Sequence, residues 1–218
     1  MDKNIELIKE KLGTGSIDIF GLPLSGKDTV GLRLAEAIGG KMLSSGLILR
    51  AAEKEDKDLF SEMSAGKLAA TDKFREIVLP YLKRPDLAQF PLILSSVGRW
   101  EGEEYDVIEA AKEGGHPIKA VILLNISEAE AKKRWEVSQT LQDRGDRSDD
   151  KVAVVLDTRI KEFIEKTMPV IETYRKRDIL LPIFADTDKE TVYQRVVEAL
   201  AKFLSESTER KIPLNYQG

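Results

Sequence analysis

The chain has 218 residues, 42% hydrophobic and 33% charged, a balance that suits one buried core with small inserts and excludes disordered or fibrous classes. Its net charge of -4 offers no general basic footprint for nucleic acid, and the absence of cysteine excludes disulfides, thiolate metal sites and a cysteine nucleophile. No stretch approaches the roughly 20 apolar residues of a membrane span.

Ile5, Ile8 and Leu12 recur at helical spacing among charged residues, which predicts an amphipathic helix at the start in place of a signal peptide. A cytoplasmic location is the expectation that follows. Ser16–Phe20 reads as a strand, and Val30, Leu34, Ala37 and Ile38 then recur at helical spacing until Gly39-Gly40. Between them stands Gly21-Leu22-Pro23-Leu24-Ser25-Gly26-Lys27-Asp28-Thr29. Glycines five apart, with a lysine after the second, let backbone N–H groups and a helix N-terminus face a phosphate. Gly21, Pro23, Ser25, Gly26, Lys27, Asp28 and Thr29 are thus candidate phosphate-binding residues, with Lys27 reaching the outer phosphates. Thr29, the hydroxyl that ends the loop, is the candidate metal contact. Asp28 stands where the pattern has Ser or Thr; a carboxylate so near phosphates must point away or meet a cation.

Further strand signals fall at Lys41–Leu43, Pro91–Ser95, Ala120–Leu124 and Pro182–Ala185, separated by helical patterns. The alternation predicts an α/β three-layer sandwich with a central parallel sheet of about five strands and helices on both faces. Ligands collect at the carboxyl ends of such strands, where Ser95, Ser96 and Asn125 emerge beside the phosphate loop. Residues 45–80 form a helical, charge-rich excursion, and residues 138–150 are polar and almost free of apolar anchors, as expected of a flap. The only histidine, His116, lies in a Gly-Gly-His-Pro turn and is expected to be structural. Val192, Val196, Leu200, Phe203 and Leu204 mark one face of a final helix that packs on the core.

The phosphate loop, followed by Ser44-Ser45-Gly46-Leu47-Ile48-Leu49-Arg50, resembles the adenylate kinase family of nucleoside monophosphate kinases, whose matching stretch reads Ser-Thr-Gly-Asp-(Leu/Met)-Leu-Arg. Ala65-Gly66-Lys67-Leu68, Thr71-Asp72, Arg99, Arg134, Arg147-Ser148-Asp149-Asp150 and Arg159 continue the resemblance in the family's order, over roughly residues 16–204. It implies a P-loop kinase domain with its core at 16–44, 81–137 and 151–207, an acceptor-binding insert at 45–80 and a short lid at 138–150. It also implies ATP and Mg²⁺, small nucleotides as partners, no nucleic acid or membrane partner, and a monomer. On the resemblance, Ser45, Gly46, Arg50 and Arg99 hold the acceptor's phosphate, while Arg134, Arg147 and Arg159 embrace the donor phosphates and the group in flight. Arginine suits the task because its charged planar fork grips phosphate oxygens in two places.

The departures bear on the metal and the acceptor base. The family's third strand ends in Asp-Gly-Phe-Pro-Arg-Thr, against Ser95-Ser96-Val97-Gly98-Arg99-Trp100 here, so a carboxylate that helps hold hydrated Mg²⁺ becomes a hydroxyl. Leu24 replaces a glycine, Leu47 an aspartate, and Ser138 an arginine for which Arg144 offers a substitute. Glu103 stands where a glutamine reads adenine, and an ionised glutamate only accepts hydrogen bonds. Trp100 fits either base stacking or packing. AMP is the first expectation for the acceptor; CMP, UMP, another small acceptor, or a regulatory nucleotide-binding protein without transfer remain open.

Overall fold

The computed structural model describes residues 2–52, 63–141 and 153–207. Its first helix, α1 (Lys3–Leu12), begins where the Asp2 carboxylate accepts the Asn4 N–H at 2.9 Å and ends at Gly13, with φ 57°. Ile5, Ile8 and Leu12 are buried, each worth about 1.5–3 kcal/mol. They pin α1 against the last helix, α9 (Lys189–Ser207).

Five strands follow: β1 (Ser16–Gly21), β2 (Lys41–Ser44), β3 (Leu92–Ser95), β4 (Ile118–Asn125) and β5 (Leu180–Phe184). They form one parallel sheet in the order β2-β3-β1-β4-β5. Every residue of β1 is buried, as befits a central strand covered on both faces. β5 begins two residues earlier than its apolar signal and contains Pro182. An edge strand tolerates this proline, since its missing N–H side can face away from the ladder. His116 is fully buried at the amino end of the sheet, with Nδ1 2.8 Å from the Thr14 carbonyl oxygen, remote from the strands' carboxyl ends.

The connections are helical: α2 (Lys27–Ile38), α3 (Ser45–Ala52), α4 (Thr71–Ile77), α5 (Glu103–Glu113), α6 (Glu128–Leu141), α7 (Ala153–Glu162) and α8 (Met168–Lys176). Two 3₁₀ turns, Leu79–Lys83 and Pro85–Leu87, lead into β3, and a π-helical turn, Phe163–Thr167, joins α7 to α8. Residues 138–141, expected in the lid, continue α6. The rest of that segment, with Arg144 and Arg147, lies outside the described residues. No described helix is long and apolar enough to cross a membrane.

Two apolar clusters share the sheet. Ile17, Ile19, Phe20, Ile93 and Leu124 belong to one that includes α1, α8 and α9; Leu92 and Leu94 belong to the other, with α3, α4, α5 and the 3₁₀ turns. β3 divides them, because alternate residues of a strand point to opposite faces.

Candidate active site

At the end of β1 the chain must turn without a side chain. A Cβ on Gly21 would lie 2.4 Å from Ser25 Oγ and 2.9 Å from the Leu124 carbonyl oxygen. The loop then passes through two left-handed residues, Leu24 (φ 66°) and Gly26 (φ 91°), before α2 begins at Lys27. Such a run turns successive N–H groups toward one anion. Gly21, Pro23, Leu24, Gly26, Lys27, Asp28 and Thr29 line a cavity of about 190 Å³, whereas Ser25 is buried beneath the loop.

The opposite wall brings together Ser45, Gly46, Arg50, Arg99, Glu103 and Arg159. Gly46 lets the Arg50 guanidinium lie close, since a Cβ there would be 3.2 Å from Nη2. Arg99 is half-buried. Desolvation, then the nearby charges of Arg159 and Arg50, push it down to about 10, against the pull of Asp28 and Asp18. It stays a cation at neutral pH. Its Nε is buried without a hydrogen-bond partner, which is the signature of a donor waiting for an anion.

Several side chains build the wall instead of facing a ligand. The Ser45 hydroxyl donates to the Ser96 carbonyl at 2.6 Å. Glu103 Oε2 accepts the N–H groups of Arg99 (2.8 Å) and Trp100 (3.1 Å), so the residue expected to read a base caps the turn that carries Arg99. Burial raises its carboxyl above the usual range. Trp100 Nε1 donates to the Ala69 carbonyl at 2.9 Å and Lys166 Nζ sits 3.9 Å from its ring centroid, which fixes the indole on the cavity wall.

Arg134 is placed differently from expectation. Its Nη1 donates to the Leu24 carbonyl at 3.3 Å, its Nη2 to Ala185 (2.7 Å) and Thr187 (3.2 Å), and its Nε to Glu130 (2.8 Å). It does not line the cavity: the carbonyl oxygens of two loops hold its fork, and it ties the phosphate loop to the β5–α9 junction. Arg147 lies outside the described residues.

Sequence reasoning missed three parts of the site. Glu162 accepts the Leu68 N–H at 3.2 Å and pairs with Lys166 at 2.6 Å, joining the end of α7 to residues 66–70. The π-helical turn puts Phe163 and Thr167 on the cavity wall, and such turns favour functional sites. Asp18, in the middle of β1, accepts the Val97 N–H at 3.3 Å and so anchors the turn between β3 and Arg99. A lone aspartate inside an apolar strand was the available signal.

The oxygen donors facing the phosphate loop are Thr29, Asp28 and Ser95, whose hydroxyl donates to Asp28 Oδ1 at 2.6 Å. This all-oxygen set fits Mg²⁺, which takes one or two carboxylates plus substrate phosphates and keeps several waters. Among the described residues no group of three His, Asp or Glu side chains forms a cage of its own.

Fold and cradle together define a phosphate-loop phosphotransferase. A family model described as an AAA domain matches residues 20–156. The adenylate kinase of Mycobacterium tuberculosis is 31% identical over 188 residues, spanning 84% of this chain and 98% of the relative. That of Sinorhizobium medicae is 29% identical over 84% of this chain and 97% of the relative, and that of Parasynechococcus marenigrum 31% over 84% and 96%. Among solved structures, a gluconokinase from Sinorhizobium meliloti superimposes with a TM-score of 0.61 at 19% identity, over 91% of this chain and 98% of that one, a likeness of fold. The chain belongs to the adenylate kinase family of phosphate-loop kinases.

Proposed function

We propose that the protein transfers the γ-phosphoryl group of ATP to a nucleoside monophosphate, AMP in the first instance, with Mg²⁺ accompanying the donor. The observation that carries this reading is Arg99, half-buried beside Arg50 and Arg159 with a buried, unpartnered Nε, lining the same cavity as Lys27. An oxygen of the acceptor's phosphate attacks the γ-phosphorus, and the bond to the β–γ bridging oxygen breaks as ADP leaves. The attacking oxygen is already anionic, so no general base is needed. Catalysis then rests on holding two polyanions in line and neutralising their charge, which is what converging arginines supply. Mg²⁺, when bound, neutralises the donor phosphates; Asp28, Thr29 and Ser95 are the residues that would hold its shell.

The acceptor's base is a separate question, because Glu103, expected to read it, gives Oε2 to the N–H groups of Arg99 and Trp100 and also hydrogen-bonds Thr71. CMP, UMP or another small acceptor is the second reading. A coupled assay of ADP release with ATP, Mg²⁺ and AMP, CMP, UMP, GMP or gluconate tests both readings. Turnover with AMP is expected, and turnover confined to CMP, UMP or GMP would move the acceptor base. Turnover only with a sugar acid would overturn the monophosphate reading, and none with any acceptor would leave a nucleotide-binding protein.

A further inference from the structure

In the adenylate kinase family the position directly after the phosphate-loop lysine is glycine, and an aspartate at the end of the third strand helps hold hydrated Mg²⁺. In this chain the first position holds Asp28, and the strand beside β1 ends in Ser95. The two side chains meet: Ser95, 2% exposed, donates its hydroxyl to Asp28 Oδ1 at 2.6 Å. We propose that Asp28 supplies from the phosphate loop the metal-facing carboxylate that the end of β3 lacks, with Ser95 as its positioning partner.

The inference rests on the ATP-dependent reading above and moves the expected metal contact from Thr29 to Asp28. Successive helix residues point about 100° apart, so Thr29 cannot occupy the direction of the residue that follows Lys27. Attraction to the amino end of α2 would by itself leave Asp28 free to turn toward water. Instead the carboxylate is drawn across to the end of β3, within the electrostatic reach of Arg99. A carboxylate held there is answered by Arg99 on one side and, with nucleotide bound, by a divalent cation placed between it and the phosphates. Ser95 donates to one oxygen and thereby aims the other, as outer partners of metal ligands do.

The test measures Mn²⁺ affinity by electron paramagnetic resonance in the presence of a non-hydrolysable ATP analogue, beside calorimetric binding of ADP in EDTA. Asp28→Asn is expected to weaken Mn²⁺ about 10-fold or more. Metal-free ADP should bind it as well as wild type or better, because a charge facing the phosphates has gone. The double exchange Asp28→Ser with Ser95→Asp should restore Mn²⁺ affinity to within about 3-fold of wild type. Undiminished Mn²⁺ affinity in Asp28→Asn, or no recovery in a double variant that still binds ADP, overturns the pair. Failure of the wild type to bind either nucleotide overturns the ATP-dependent reading itself.

Discussion

Asp18 is a carboxyl group in the middle of the central strand, and its burial is a thermodynamic load that the site carries. Desolvation raises its pKa from 3.8 to about 8, although the N–H groups of Val97, Ile19 and Ser96 and the charge of Arg99 act the other way. The folded chain keeps this proton up to about pH 8 while the unfolded chain releases it near pH 4. The native state therefore binds more protons throughout that window, and stability falls as pH rises through it and levels off above. Asp18→Asn, which mimics the neutral form, should be the more stable protein by an amount that grows between pH 4 and pH 8, on the order of 4 kcal/mol at pH 7 as an upper bound. Urea unfolding of both proteins across pH checks it; parallel profiles would show that Asp18 ionises freely in the fold. Lys27→Ala should keep its unfolding midpoint and lose activity by on the order of 10²-fold or more, since a preorganised charge at the transferring group is removed. Leu24 makes a third case: its φ of 66° costs about 1–2 kcal/mol, and its side chain packs partly on the core. Leu24→Gly loses packing and strain together, Leu24→Ala only packing, so the glycine variant should melt at the higher temperature.

At the scale of elements, one cavity wall is a bridge from residues 66–70 to α7 and the π-helical turn. Gly66, at φ 80°, is its closest point: a Cβ would lie 2.8 Å from the Val155 carbonyl oxygen and 3.3 Å from Arg159 Cγ. Gly66→Ala must therefore shift α7, and with it Arg159, at a cost of roughly 1–3 kcal/mol from the backbone alone. Because Arg159 is expected on the donor phosphates and the group in flight, the expected kinetic signature is a lowered kcat; an unchanged kcat would place the defect elsewhere. The strands and the phosphate loop were legible in the sequence, because periodicity and motif spacing are local signals, whereas the cavity-lining Arg50, Arg99 and Arg159 were reached through the family resemblance. The place of Arg134 was not legible, because its partners are backbone carbonyls of Leu24, Ala185 and Thr187, 51 to 110 residues away, and no side-chain pattern marks them. Glu103 misled for a related reason: the N–H groups it caps lie three and four residues before it, at an ordinary helix start. The pairing of Asp28 with Ser95 joins positions 67 apart, so each could be seen as a departure but not as a partner.

For the whole molecule, the division of the apolar interior along β3 has a consequence for how the protein breathes. Leu92 and Leu94 belong with Phe74, Val78, Leu82 and Val107, whereas Ile93 belongs with the cluster beneath the phosphate loop. Two such bodies need not open together, and proteins commonly unfold in cooperative pieces whose free energies differ. In native-state amide hydrogen exchange, α4, the 3₁₀ turns and α5 should form one denaturant-sensitive isotherm that merges below the global unfolding of β1 and β4. A single common isotherm would mean the clusters act as one. With two, the half that carries Trp100 and Glu103 can loosen and reseal while the anion cradle at Gly21–Lys27 stays folded. Departure of one nucleotide would then be a local melting event, with a rate set by how firmly a dozen apolar side chains grip one face of a four-residue strand.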